Sequence, residues 1–514
     1  MDYKSLFEFF HKVETEYPVQ KWMVGGIHIW PLVRIQMGAV FSAGRSNTFS
    51  SINEHAILAS NNWWNYMKSV SKPLVDELKL FFLDFKHRER LAPCDVVMLG
   101  DAADRNVQMP TGELMDHNLD PIYEALQTEG YRIFKFEEMH SDGPRYPRWT
   151  RSYIINGMML WAKIRRKWDK GTIKDIQINA DLYRSIMQSF SRLQPGNEPI
   201  LLEYVIHNAI YVRFLADEFQ EKLKILKPRL VVLECWYSLD KMALSIAAHK
   251  MGISVVDVQH GVAGGSDSHQ AYIDWHNMPR KGYEVMPDYI WGWEQADCDA
   301  IARWGEDKVT PIFGGRPMNL IWGNKAGEIP RYYKKEYEKE FGSPRPTILL
   351  TLQWGIKYPE WFLDFVNQMD KYTWLIRLHP VVDENERAFL EKLEKKENII
   401  WVGVDSFPLD VLLTNAWLHI TMYSSAVIEA EEVGCHSIVI HPFACQAFAM
   451  QIKRGMVRYA DNPKDLLAAI HDDLSKRVQM RDNVGRMKEL YVQGQSGIRR
   501  LIEIMESHQS CYML

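Results

Sequence analysis

Three short clusters in the second half of the chain have the residue types that hold an anion. Arg377-Leu378-His379-Pro380 closes the apolar run WLIRL. A His followed by Pro leaves a strand in an extended turn. That turn can aim the imidazole outward, where the neutral ring hydrogen-bonds a phosphate and the protonated ring offsets its charge. The plainer reading is a strand-end His capping a loop. Tyr423-Ser424-Ser425 lies between an apolar run and a helical one. Two hydroxyls and free backbone N–H groups meet there at a helix N-terminus, a phosphate-binding arrangement, although an ordinary Ser N-cap has the same pattern. Glu429 follows on the same helix. Its carboxylate can accept hydrogen bonds from a ribose, or simply be solvated beside Glu431 and Glu432.

The first half offers proton-handling groups. The run ISVVDVQ leads into His260-Gly261-Val262-Ala263-Gly264-Gly265. Glycines there let backbone approach a ligand, with His260 at the mouth of the turn. Glu234 ends the preceding apolar run and Asp101 follows the first one, so both are candidate general bases. Each is equally readable as a loop acid. Arg316, in Gly314-Gly315-Arg316-Pro317, is a candidate anion contact, and Gln353 ends the run TILLTLQ. No GxGxxG or Walker pattern supports a dehydrogenase or kinase. The Asp297-Cys298-Asp299 pair falls in a predicted helix and is discounted as a metal motif. No HExxH, zinc spacing or calcium loop occurs, so no metal or cofactor is expected.

These residues need elements to position them. Short β-rich apolar runs alternate with helical segments, the pattern of an α/β chain with parallel sheets. Strands are expected at 95–100, 131–136, 230–234, 253–259, 288–292 and 309–313, with 151–228 mainly helical. The Lys-, Glu-, Gly- and Pro-rich stretch 324–345 reads as an interdomain connection with some helix. A second series then places strands at 347–353, 374–378, 399–402, 418–422 and 437–441, and a helical tail at 463–507. The expected domains are 1–320 with a helical insertion (151–228), 321–475, and C-terminal helices (476–514) packing back across both. Two Rossmann-like domains of this kind suggest the GT-B architecture, whose ligands bind beyond the strands' carboxyl ends. Every candidate above stands just after a strand and so belongs to the cleft between the domains.

Composition sets the outer bounds. The 514 residues are 46% hydrophobic and 25% charged, as in soluble globular chains. With 61 basic and 66 acidic residues the net charge is −5, unlike a dedicated nucleic-acid binder. Six cysteines without a CxxC read as free thiols in a reducing compartment. The start lacks the plan of a signal peptide, and no run approaches a membrane span. A cytoplasmic location is expected.

The order Gln259-His260-Gly261, Arg377-Leu378-His379-Pro380, Tyr423-Ser424-Ser425 and Glu429-Ala430 resembles bacterial surface-polysaccharide GT-B transferases. These are the capsule-synthesis Kdo transferases, the HP-motif sialyltransferases and, more distantly, the CDP-glycerol polymerases. Trp22, Gly25-Gly26, Ile29-Trp30-Pro31-Leu32 and Arg34 also resemble the start of surface-carbohydrate biosynthesis proteins. The resemblance implies that His379, Ser424 and Ser425 hold a nucleotide phosphate. It implies metal-independent transfer of a sugar, from a CMP-sugar by preference, to a growing glycan or lipid-linked glycan. The first domain would take the acceptor and the second the nucleotide-sugar. A UDP-sugar or CDP-polyol donor, a sugar-nucleotide epimerase and a non-catalytic assembly scaffold are the alternatives. The sialyltransferase acidic base motif is absent.

One segment suggests a surface. Tyr153–Lys170 carries Lys163, Arg165, Arg166 and Lys167 between Trp161 and Trp168. Cations with Trp suit an anionic lipid interface, and an amphipathic core helix with a solvated basic end reads the same way. Peripheral contact with the inner membrane through 153–170 is the corresponding expectation.

Overall fold

The computed structural model describes residues 3–43, 89–139, 147–168, 175–193, 199–260, 271–324, 327–353, 355–379, 384–403, 406–476 and 483–511. The first domain is built on a seven-stranded sheet, all parallel. Its strands in chain order are β1 (Val96–Asp101), β2 (Ile133–Glu138), β3 (Tyr153–Ile154), β4 (Leu230–Glu234), β5 (Ser254–Val258), β6 (Tyr289–Gly292) and β7 (Thr310–Phe313). They lie side by side as β3-β2-β1-β4-β5-β6-β7. The second domain has six parallel strands: β8 (Thr347–Thr351), β9 (Thr373–Arg377), β10 (Ile399–Val402), β11 (Leu418–Thr421), β12 (Ser437–Val439) and β13 (Val457–Tyr459). Their order, β10-β9-β8-β11-β12-β13, repeats the doubly wound order of the first sheet. In both sheets the order reverses between the first strand and the fourth, which is where ligands of such sheets bind.

The strands read as unbroken apolar runs because both faces are covered. In β1, Val97 and Leu99 pack into one core with the helices 202–226 and 239–250. Val96 and Met98 face the other way, against Ile498, Leu501, Ile504 and Met505 of the helix Asn483–Cys511. In β8, Ile348 and Leu350 share one core and Leu349 another. The connection carries the helix Glu328–Phe341, whose Tyr333, Tyr337 and Phe341 pack around Phe407.

The helix Asn483–Cys511 leaves the second domain and lies along the first. It is notched to do so: a methyl group on Gly497 would come 2.5 Å from the ring of Trp291, and one on Gly494 would come 2.8 Å from Leu320. Gly314, beside Gly497, also lacks room for a methyl group against the Trp291 ring. Trp291 Nε1 donates to the Gly315 carbonyl at 2.6 Å, so the indole is fixed between turn and helix.

The insertion 151–228 is helical over Asn156–Trp168, Ala180–Leu193 and Leu202–Leu226, but it begins with the edge strand β3. The N-terminal motif residues are structural. Trp30 Nε1 and Arg34 both donate to Glu14 at 2.7 Å, and the Arg34 guanidinium lies 4.0 Å from the Trp275 ring centre. Among the described residues, no helix is long and apolar enough to cross a membrane.

Candidate functional site

In the second domain the register pairs Thr351 with Arg377 and Leu350 with Ile420. The residues that follow β9, β8 and β11 therefore emerge side by side. Gln353 and Tyr423 are joined directly, the Tyr423 N–H donating to Gln353 Oε1 at 3.1 Å. The Gln353 N–H donates to the Tyr358 hydroxyl at 2.8 Å. Ser424 is half-buried, and its Oγ accepts from the Ala426 N–H at 3.3 Å. Ser425 is exposed, and no side-chain cap fixes it at the start of the helix Ala426–Glu432. His379 is half-buried, and its turn is held by an N–H to Glu386 Oε1 bond of 3.0 Å. Arg377 is buried and donates to the Phe407 carbonyl, which secures a loop.

Opposite, the first sheet ends in acids. Asp101 Oδ1 accepts from the Ala103 N–H at 2.8 Å and so caps the turn Ala102–Asp104. The Asp101 N–H donates to Glu234 Oε1 at 2.9 Å. Glu234 is fully buried, while Asp104 and His260 stand half-buried over it. One carboxylate or imidazole atom of each lies within 4.8 Å of the others. Burial first, then the neighbouring Asp104, push the Glu234 carboxyl well above its ordinary range. Burial and the charges of Asp116 and Asp101 raise Asp104 to about 7. Burial, with repulsion from His117, lowers His260 to about 4, so its ring is neutral.

A layer of charge lies beneath. Arg105, Lys135, Asp116, Asp120 and Glu137 are all fully buried. Lys135 Nζ is 2.7 Å from Asp116 and 2.6 Å from Asp120, and Arg105 Nε is 2.6 Å from Glu137. Thr150 and Ser152 donate to Asp120 and Glu137 at 2.6 and 2.5 Å. Isolated buried ions would be prohibitive; paired and fully bonded ones hold a geometry. Here the geometry reaches the surface. Asp116 Oδ1 accepts from the N–H groups of Asn118 and Leu119 at 2.8 and 3.1 Å, and the Asn118 amide meets His260 Nδ1 at 3.2 Å.

The two carboxyl edges face one another. Arg316, which follows β7, reaches Asp410 at 2.5 Å and Glu429 at 3.3 Å, and also bonds Glu432. Arg454 contributes a second bridge, to Glu294 after β6 at 3.3 Å. His117 lies close enough to Glu429 to favour its ionised form, as Arg316 does more strongly, although burial still raises Glu429 overall.

Two expectations change accordingly. Arg316 was expected to contact an anionic ligand, but its guanidinium is taken by three carboxylates of the second domain. Glu234 was expected to reach the cleft as a candidate general base, but its side chain is fully buried beside Asp104 and His260. Gly261 and Pro380 lie outside the described residues. Asp297 belongs to a helix cap with Glu294 and accepts from Gln259 at 2.9 Å. The sequence reading missed Asp104, Asp116, His117, Asn118 and Lys135. The polar run Asp116-His117-Asn118-Leu119-Asp120 before a helix was the available signal. On the insertion, Trp161 is 51% and Trp168 81% exposed, while Arg165 pairs with Glu218 at 3.3 Å.

No family model matches the chain, and no curated protein does. Among solved structures it is similar to a putative UDP-N-acetylglucosamine 2-epimerase from Listeria monocytogenes, with 14% identity, a TM-score of 0.47, and coverage of 81% of this chain and 96% of that one. The UDP-GlcNAc 2-epimerase of Methanocaldococcus jannaschii gives 15% identity and 0.47 over 80% and 99%. The glycotransferase of kitacinnamycin gives 11% identity and 0.43 over 81% and 99%. The GT-B-like fold assigned here rests on the two sheet orders and their facing carboxyl edges.

Proposed function

We propose that the protein is a GT-B glycosyltransferase that moves a sugar from a nucleotide donor to a glycan acceptor in the cleft between its two domains. The observation that carries this reading is the meeting of two switch points. The carboxyl ends of β9 and β11 present His379, Ser424 and Ser425, and those of β1 and β5 present Asp101, Asp104 and His260. The nucleotide phosphates take the former side, where an imidazole and hydroxyls offset the charge that builds on the leaving phosphate. The sugar takes the latter side. Carboxylates there favour the positive charge that develops at the anomeric carbon and accept the proton of the attacking hydroxyl. Glu429, at the rim between Arg316 and His117, is the acceptor for ribose hydroxyls. A CMP-sugar is the preferred donor, by the resemblance of the His-Pro and paired-Ser motifs.

One observation favours a second reading, a sugar-nucleotide epimerase. The extra acid Asp104 beside Glu234 supplies the paired proton-handling groups that reaction needs. Titration with CMP, UDP, GDP and CDP tests both enzymes against a scaffold, since saturable binding of one nucleotide is expected and binding of none overturns both. Product analysis with and without acceptor then separates them: transfer requires the acceptor, and epimerisation does not.

A further inference from the structure

We propose that Asp104, Glu234 and His260 form a site for a divalent cation of the Mn²⁺ or Zn²⁺ kind at the carboxyl edge of the first sheet. The three side chains come from the turn after β1, the last residue of β4 and the segment after β5, and their ligating atoms lie within 4.8 Å of one another. Three donors spread around an ion at about 2.1 Å stand about 3.6 Å apart at most, so closing by up to about an ångström completes the arrangement.

A second observation points the same way. Glu234 is fully buried and spends Oε1 on the Asp101 N–H at 2.9 Å, while Oε2 has no hydrogen-bond partner. A buried carboxylate oxygen without a donor is costly. Its neighbour Asp104 is within hydrogen-bonding reach, but two ionised carboxylates cannot bond one another, so a proton or a cation must stand between them. The nearby ammonium groups are committed. Lys241 is 2.8 Å from Asp240 and 3.8 Å from Glu138, and Lys135 serves Asp116 and Asp120. Asp101 adds a further negative group at the rim. The corner therefore holds either a proton or a cation between its carboxyls.

The donor set selects the ion. One imidazole with two carboxylates suits Mn²⁺ or Zn²⁺, whereas Mg²⁺ prefers to keep its waters. The Asn118 amide meets His260 Nδ1 at 3.2 Å; a ring that binds the ion through Nε2 must donate from Nδ1, so the amide would turn its oxygen to the ring on binding. Asp104 and His260 are half-buried, which leaves the cleft side open to a hydroxyl that the ion would acidify. That use rests on the cleft reading above; the binding does not.

The test is a titration of chelator-treated full-length protein with MnCl2, without nucleotide, followed by the electron paramagnetic resonance of free Mn²⁺. One saturable Mn²⁺ per chain is expected, displaced by Zn²⁺. Affinity should fall about tenfold or more in Glu234→Gln and in Asp104→Asn, and persist in Glu429→Gln on the opposite wall. Circular dichroism checks each fold, and the half-exposed Asp104→Asn carries the test if Glu234→Gln fails to fold. Absence of a saturable site in the wild type, or a site unchanged in these variants, overturns the proposal and leaves a shared proton between the carboxyls. Nucleotide titration of the same sample reports separately on the cleft.

Discussion

The guanidinium of Arg316 lies 3.3 Å from the carboxylate of Glu429, and the two residues belong to different domains. Arg316 stands in the turn after the last strand of the first sheet, and Glu429 in the helix that follows the fourth strand of the second. The pair, with Asp410 and Glu432, sets how far apart the two walls of the cleft stand.

Replacing Arg316 with Ala leaves three carboxylates facing one another without their cation. Breaking one side of a buried ion network costs about 3–5 kcal/mol. Urea unfolding should show a loss of that order. A change below about 1 kcal/mol, the value typical of surface pairs, would mean that the bridge is dispensable.

His379→Ala and the double change Ser424→Ala with Ser425→Ala remove the groups assigned to the nucleotide phosphate. A hydrogen bond to a charged group is worth about 1.5–3 kcal/mol, so nucleotide affinity should fall roughly 10- to 100-fold in each. Calorimetric titration reads this directly, with far-UV dichroism unchanged. Wild-type affinity in both variants would remove these residues from the site.

His419 gives the second domain a pH dependence. Its ring is fully buried between Thr351 Oγ1 at 2.9 Å and Ser437 Oγ at 2.8 Å, and burial lowers its pKa to about 3. The unfolded ring titrates near 6.5. Between these values the unfolded chain holds a proton that the folded chain does not, so stability falls as the pH drops below about 6.5. From pH 8 to pH 5 this group removes about 2 kcal/mol. Denaturant midpoints across that range should show the fall, and His419→Gln should flatten it.

Gly497→Ala drives a methyl group into the Trp291 ring, and so does Gly314→Ala beside it. Overpacking of this kind costs about 1–3 kcal/mol. Thermal melts should shift down, and the emission of Trp291 should change as the indole leaves its bond to Gly315. An unchanged melting temperature in both would show that the C-terminal helix is held elsewhere.

The exposed rings of Trp161 and Trp168, flanked by Lys163, Arg165, Arg166 and Lys167, are proposed to meet an anionic bilayer. Each cation near such a surface contributes about 1 kcal/mol, less what Arg165 gives to Glu218. Flotation with anionic liposomes should succeed at low salt and fail at high salt. The idea is wrong if wild-type protein stays in solution at low salt, or floats equally well with the four charges reversed.

Much of the framework was legible because the strands are buried on both faces and read as unbroken apolar runs. Leu230–Glu234 and Ile399–Val402 have the bounds expected from pattern alone. Shorter elements were not legible. The strand Val457–Tyr459 and the edge strand Tyr153–Ile154 are only a few residues long, and their pairing rather than their pattern makes them strands. In the candidate site, residues directly after strands could be named: His260, Glu234, Asp101 and His379. Their partners could not. Asp104 arrives through a single turn of helix, and Asp116 through a hairpin with Arg105–Gln108. Arg316 looked like a ligand group because its three carboxylates lie about a hundred residues further along the chain.

The notched C-terminal helix has a consequence for the order in which the protein is made. Ile498, Leu501, Ile504 and Met505 wall off one face of the first sheet, yet the ribosome adds them only after the whole second domain. One core of that second domain draws solely on residues between Ile348 and Ile470. Another core of that domain also takes in Val107, Met109 and Met487, so both sheets keep one face unfinished until the helix arrives, the first with Val96, Met98 and Val232 uncovered. The larger core of the first domain draws only on residues between Leu6 and Val309 and can close early, but the other face of its sheet stays open to solvent until that helix is made.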